Sequence, residues 1–223
     1  MKHPIYLLDN QMVTLEKGIK KLSKDGIVID DSRLAQFRKY IDLILGWNRK
    51  APLISYGDEA RIAQKHILPS LGLLKLIPEK DGKWLDIGSG AGFPAIPIKI
   101  FRDSISLDML EVNGKKHTFL TKVIRDLQLD RCNAIQSRLE NLPDAILYNL
   151  ITAWAVEKPE MIIREASRIL HPDGNIIYLK DRRGVAEFEN LIPPVLKVVD
   201  VVKLPNFTRS PRLYAIIIHR SNN

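Results

Sequence analysis

An apolar run that ends on an acid and passes directly into three alternate glycines, Trp84 to Pro97 (WLDIGSGAGFPAIP), constrains the fold more than any other part of this sequence. Glycine reaches φ > 0 without steric cost. Gly88, Gly90 and Gly92 therefore let a chain leaving a strand turn sharply and expose backbone N–H groups before a helix begins. Strand, glycine turn and helix start, in that order, predict a nucleotide-like cofactor at the carboxyl end of the strand, where Asp86 adds a carboxylate. The dinucleotide fingerprint has its third glycine one residue later, where this chain has Phe93, so the spacing argues against a nicotinamide cofactor.

What remains, D-x-G-x-G-x-G, is similar to the cofactor loop of S-adenosylmethionine (S-adenosyl-L-methionine, SAM) methyltransferases. In that class a second acid closes the next strand and holds the ribose hydroxyls. Glu111, at the end of Ile105–Glu111, stands at the matching place. The other reading of Glu111 is an acid that meets solvent where a strand ends.

The surrounding chain alternates. Apolar runs at Trp84–Ile87, Ser106–Glu111, Asn133–Gln136, Leu147–Thr152 and Asn175–Leu179 are separated by helical stretches such as Glu160–Leu170, which predicts a parallel doubly wound sheet. Pro172-Asp173-Gly174 makes a turn ahead of the fifth strand. Two more strands, Lys197–Lys203 and Leu213–Arg220, flank a polar loop and predict an antiparallel hairpin at the sheet edge. The expected fold class is α/β: the Rossmann-like, seven-stranded, mostly parallel sheet of class I SAM-dependent methyltransferases with an N-terminal helical extension. The extension takes residues 1–80 and the methyltransferase domain residues 81–223. Within the extension, Leu7, Leu8, Met12, Leu15, Ile19 and Leu22 follow helical spacing, and Asp30-Asp31-Ser32 offers caps for a second helix through Trp47. A third helix should be capped by Asp58, pass through Ile62, His66, Ile67 and Leu71 to Leu74, and stop at Pro78 and Gly82.

With 223 residues, 45% of them hydrophobic, the chain can bury the core of one α/β domain plus a small extension. Its 34 basic and 26 acidic residues leave a formal charge of +8, which favours a polyanionic partner such as nucleic acid. The single cysteine, Cys132, excludes an intramolecular disulfide and a cysteine-based zinc site, and no metal is expected. An N-terminal apolar run of only Ile5–Leu8 cannot be a signal or membrane segment, so a cytoplasmic protein away from the membrane is expected.

Six segments in register carry a closer resemblance: W-N-R-K (47–50), K-H-I-L-x-S-L (65–71), L-D-I-G-S-G-A-G-F-P-A-I-P (85–97), G-K-K-x-x-F-L (114–120), Q-S-R-L-E (136–140) and Y-L-K (178–180). Together they resemble the glucose-inhibited division protein B family, guanine-N7 methyltransferases of 16S ribosomal RNA, from about Phe37 to His219. The resemblance implies that Gly88, Gly90, Phe93, Leu139 and Glu140 line the cofactor, and that Arg138, Lys180 and Arg212 face the substrate or order the site. The strand-end argument adds Asp86, Gly92 and Glu111 to the cofactor set. His66, beside Lys65, could approach the site or serve as a structural histidine. Lys180, Arg182 and Arg183 would lie on the rim of the cleft, where RNA phosphates could be neutralised, and Arg209 and Arg212 would extend that rim.

This chain departs from the family pattern in three places. Ala153-Trp154-Ala155 stands where members carry serine-arginine-alanine, so Trp154 replaces an arginine of the cofactor pocket. It could stack on adenine or face the sulfonium, an interaction worth about 0.5–2 kcal/mol, or it could be a core tryptophan. Lys180-Asp181 replaces lysine-glycine, and Trp47–Ser55 differs from W-N-K-x-x-N-L-T.

Guanine N7 carries an in-plane lone pair and no proton at neutral pH, so its methylation needs orientation rather than a general base. No N/D-P-P-Y/F motif for amine methylation is present, and Cys132 lacks the preceding proline of a cytosine-C5 methylase nucleophile. The N7 edge lies in the deep groove of A-form RNA, so the target should be splayed from its stack. The sequence thus reads as a SAM-dependent rRNA (guanine-N7-)-methyltransferase, monomeric, acting on 16S rRNA or a small ribosomal subunit particle, by resemblance in the 530-loop region. The alternatives are a small-molecule SAM methyltransferase capped by its N-terminal helices, and a non-catalytic RNA- or SAM-binding relative. A positive rim would mark the RNA enzyme and an apolar lid the small-molecule one.

Overall fold

The computed structural model describes residues 4–23, 26–77, 82–156, 158–188, 191–207 and 212–221. Seven strands form one sheet: β1 (Lys83–Ile87), β2 (Ser106–Leu110), β3 (Cys132–Ile135), β4 (Tyr148–Trp154), β5 (Leu170–Asp181), β6 (Leu196–Lys203) and β7 (Leu213–Arg220). Their order is β3-β2-β1-β4-β5-β7-β6. The first five are parallel; β7 runs antiparallel between β5 and β6, so the expected terminal hairpin is present. Strand order reverses between β1 and β4, which opens a crevice at the carboxyl ends of these two strands.

Helices α1 (Pro4–Leu22) and α2 (Asp31–Asn48) form the extension, and α4 (Ala95–Phe101), α5 (Gly114–Asp126), α6 (Pro159–Arg168) and α7 (Arg182–Phe188) accompany the sheet. Asp30 caps α2 by accepting from Arg33 N, a contact worth about 1 kcal/mol. Strand alternation divides the core. Trp84, Leu107, Met109, Leu150 and Leu179 share one cluster with apolar residues of α1, α2, α4 and α5, whereas Leu85, Ile87, Ile151 and Tyr178 share the other with residues of α6 and α7. The extension and one face of the sheet thus share a continuous core. The division expected between residues 80 and 81 lies outside the described residues, as does the stop at Pro78.

Two expectations need correction. The stretch expected as a third helix is a 3-10 helix at Tyr56–Arg61, a π-turn at Ala63–Ile67 and a single α-turn, α3 (Leu68–Leu71). Pro69 explains the π-turn: it has no N–H to give to the carbonyl four residues back, and its ring would crowd that carbonyl. Leu68 N accordingly reaches back five residues to Ala63 O, and the Ser70 hydroxyl donates to His66 O. Asp58 makes no helix cap, since Ser55 is the cap residue; its carboxylate instead binds side chains at the π-turn. Secondly, Pro172-Asp173-Gly174 is not a turn before a strand but an outward excursion within β5. Tyr148 pairs with Leu170 and Leu150 with Asn175, so four residues are accommodated between successive pairings. Gly174 is required there, because a Cβ would lie 2.9 Å from Tyr148 O.

Candidate active site

The glycine loop leaves β1 with Gly88, Gly90 and Gly92 at φ of 67°, 56° and 94°. Packing fixes two of them as well as conformation: a Cβ on Gly88 would sit 2.6 Å from Val156, and one on Gly92 would sit 2.5 Å from Ile96 and 3.0 Å from the Tyr40 hydroxyl. At Gly90 the nearest atom to such a Cβ is Gly88 O at 3.7 Å, an ordinary van der Waals contact, so its positive φ and not packing calls for glycine. The loop is tied to the next strand by Gly88 N and Ser89 N, which both donate to Leu110 O. The extension grips it from the other side. Tyr40, fully buried on α2, donates its hydroxyl to Ala91 O at 2.6 Å and packs its ring 5.6 Å from that of Phe93.

Asp86 and Thr152 are register partners on β1 and β4 and point to the same face. Trp84 Nε1 donates to the Thr152 hydroxyl at 2.8 Å, which leaves the hydroxyl hydrogen for Asp86 Oδ1 at 2.5 Å. Asp86 Oδ2 is buried with no hydrogen-bond partner among the described residues, and the residue is 1% exposed. Burial raises the Asp86 carboxyl to about 7. A carboxyl with an unmet acceptor beside a glycine loop fits a cationic ligand group such as the ammonium of SAM.

Glu111 follows β2 directly and does not simply meet solvent. It is 6% exposed; Oε2 accepts from Gly90 N at 2.9 Å and Oε1 from Asn113 N at 2.8 Å. Beside it, Val112 is an exposed apolar side chain suited to an adenine face. After β3, Leu139 is buried in a 3-10 turn that Arg168 of α6 holds through the Leu139 and Leu142 carbonyls. Glu140 is exposed and lies 3.7 Å from Arg138, which is also exposed. Asp86, the three glycines, Glu111 and Leu139 thus gather at the ends of β1, β2 and β3, a set that fits SAM.

Trp154, half-buried at the end of β4, lies in a different part of the crevice. With Asp58, Lys65, His66, Asp181 and Phe207 it lines a cavity of about 300 Å³, and none of Gly88, Gly90, Gly92, Glu111, Leu139 or Glu140 lines that cavity. The His66 ring stacks on Phe93 at 4.9 Å and tilts toward Trp154 at 6.2 Å. Its Nε2 is 3.5 Å from Asp58 Oδ2, without a hydrogen bond, and burial lowers its pKa, so the ring is neutral near pH 7. Lys65 Nζ donates to Asp58 Oδ1 at 2.5 Å, and these neighbours hold Asp58 below the usual carboxylate range despite its burial.

On β5, alternation separates Lys180 from Asp181. Lys180 shares the face of Tyr178, lies 5.5 Å over that ring and packs its stem against Gly184; it lines neither this cavity nor the adjoining basin. Asp181 points to the opposite face and borders both. The basin, of about 890 Å³, is lined by Asp181, Arg182, Arg183, Lys203, Arg212 and Tyr214, which makes a basic rim. Arg209 lies outside the described residues. Cys132 is buried with its thiol pushed up to about 12, so it is no nucleophile. No group of three or more potential ligands for a metal ion occurs among the described residues. No helix among them is long and apolar enough to cross a membrane.

Sequence reasoning missed Tyr40 and Asn48. Asn48 Oδ1 accepts from Leu53 N and Ile54 N while its amide donates to Glu59 Oε1, which closes the loop after α2. The W-N pair was the available signal for Asn48. Nothing local marked Tyr40.

Comparison with solved structures supports the fold: a ribosomal protein L11 methylase from Lactobacillus delbrueckii subsp. bulgaricus superposes with a TM-score of 0.57 at 16% identity, over 71% of this chain and 79% of that one. Among curated proteins, a ribosomal RNA small subunit methyltransferase G from Chloroflexus aggregans is 33% identical over 161 residues, covering 70% of this chain and 68% of its own. One of the same name from a Thermoanaerobacter species is 33% identical over 183 residues, 79% of this chain and 76% of its own. A family model described as GidB, rRNA small subunit methyltransferase G, matches residues 33–207, from the start of α2 to beyond β6. With that match spanning both the extension and the sheet, the chain belongs to the GidB family of SAM-dependent methyltransferases.

Proposed function

We infer that this protein transfers the SAM methyl group to N7 of a guanine in the 530-loop region of 16S rRNA, in the cytoplasm. The observation that carries the reading is the family match across residues 33–207. The site agrees with it chemically. Bound SAM supplies an electrophilic methyl on a sulfonium. Asp86 would take its ammonium, Glu111 the ribose hydroxyls, and the glycine loop and Leu139 would line its length. The chemistry that SAM would supply there is a methyl carried on a good, neutral leaving group, and guanine N7 would meet it with an in-plane lone pair. No proton is lost at N7, so the protein's task is orientation and exclusion of water. The basic rim of Arg182, Arg183, Lys203 and Arg212 favours an RNA substrate over a small molecule.

The test is to map 7-methylguanosine in ribosomal RNA from cells with and without this protein. A single guanine that loses N7 methylation supports the reading; an unchanged map overturns it.

A further inference from the structure

The cavity beside Trp154 has a composition that neither the cofactor nor the basic rim accounts for. It opens on the face of the sheet that carries Asp86, since Trp154 follows Thr152 by two residues and Thr152 is bonded to Asp86. Phe93, next to the last glycine, touches the cavity wall through the His66 ring, so the cavity is one side chain away from the glycine loop. On its other side it meets the basic basin across Asp181, which borders both. A base seated in the cavity would thus have its phosphates over the cationic basin and one edge toward the cofactor loop.

The lining has two parts. Trp154, His66 and Phe207 give flat aromatic surface, and His66 is uncharged near neutral pH, so it stacks as an aromatic ring. Asp58 and Lys65, 2.5 Å apart, set an acceptor beside a donor. Guanine presents N1–H and N2–H donors next to the O6 acceptor, so one carboxylate can take both donors while the ammonium takes O6. Adenine offers a bare N1 at the matching place, which a carboxylate repels.

We propose that this cavity is the pocket for the flipped-out guanine of the RNA, with Trp154 and His66 as its stacking walls and Asp58 with Lys65 reading its Watson–Crick edge. The proposal rests on the methyltransferase reading above and adds which residues select the base. It gives the extension a direct part in substrate choice, and gives Trp154 a substrate role.

The test measures two quantities for the full chain and for Trp154→Ala, Trp154→Phe and Asp58→Asn: affinity for S-adenosylhomocysteine by calorimetry, and kcat/KM for methyl transfer to small-subunit particles lacking the modification. Trp154→Ala should lower kcat/KM about tenfold to a hundredfold while cofactor affinity stays within about twofold. Trp154→Phe, which keeps a stacking ring, should recover most of the loss. Asp58→Asn should cost about tenfold with cofactor affinity again unchanged, and together with Trp154→Phe it decides between the outcomes if the alanine variant does not fold. Unchanged kcat/KM in Trp154→Ala and Asp58→Asn overturns the pocket assignment, and so does a parallel loss of cofactor affinity, which would put Trp154 in the cofactor shell. Absence of methyl transfer by the unaltered protein would instead overturn the methyltransferase reading itself, and needs no variant to recognise.

Discussion

Replacing Asp86 by asparagine should flatten part of the pH dependence of folding. Burial holds this carboxyl near 7 in the folded protein, with the Glu111 carboxylate adding to the rise, against about 4 in an unfolded chain. The folded state therefore keeps a proton that the unfolded state releases across that interval, and stability falls as pH rises through it. At about 1.4 kcal/mol per decade, three decades amount to about 4 kcal/mol, fully present below about pH 4 and lost by about pH 7. Asparagine keeps an acceptor for the Thr152 hydroxyl but does not titrate. It also buries an amide where Oδ2 lacked a partner, a constant cost of about 1–3 kcal/mol that shifts the curve without tilting it.

The assay is urea unfolding of both proteins at intervals from pH 4 to pH 8, read as the difference between them, so that Asp58, His66 and the other shared titrating groups cancel. The wild-type protein should lose stability relative to Asp86→Asn as pH rises. Saturation with S-adenosylhomocysteine should shrink that slope, because a cation beside Asp86 favours its charged form. A difference that is flat from pH 4 to pH 8, or that grows in favour of the wild type, refutes the argument that Asp86 is a buried carboxyl waiting for a cation.

Gly90→Asp should abolish cofactor binding in calorimetry, because it adds bulk and a charge that opposes Glu111 where the loop backbone must approach the ligand, besides straining a backbone at φ 56°; retained binding would show that the loop does not face the cofactor. Tyr40→Phe should destabilise by about 1–3 kcal/mol in urea unfolding, since the buried Ala91 carbonyl loses its donor. An unchanged midpoint would mean the carbonyl finds another partner. Arg183→Ala and Arg212→Ala should each weaken RNA binding across sequences and reduce the salt slope of log K by about 1, with cofactor affinity intact. A slope equal to that of the wild type would remove these arginines from the phosphate path.

What the sequence made legible was whatever its local pattern encodes. The β7 limits Leu213–Arg220 match the expected strand end to end, and the glycine loop and both acids fall where their spacing put them. Spacing reports position and not burial, so it leaves room for a Glu111 that meets solvent; its burial and its bonds to Gly90 N and Asn113 N exclude that. The third helix breaks up because apolar spacing does not encode what Pro69 does to the carbonyl four residues back. Tyr40 was invisible for a different reason: its partner, Ala91, is 51 residues away, and no local periodicity encodes such a contact. Trp154 was partly readable. Strand parity alone puts residues 152 and 154 on one face of β4, and pairing with β1 puts Asp86 on that face too, while the same parity sends Lys180 toward α7 and Asp181 toward the crevice. The departures from the family pattern at Trp154 and Asp181 therefore fall together on the walls of one cavity. Two substitutions that looked separate along the chain are neighbours in the fold, which is why a test of base selection at Trp154 bears on both.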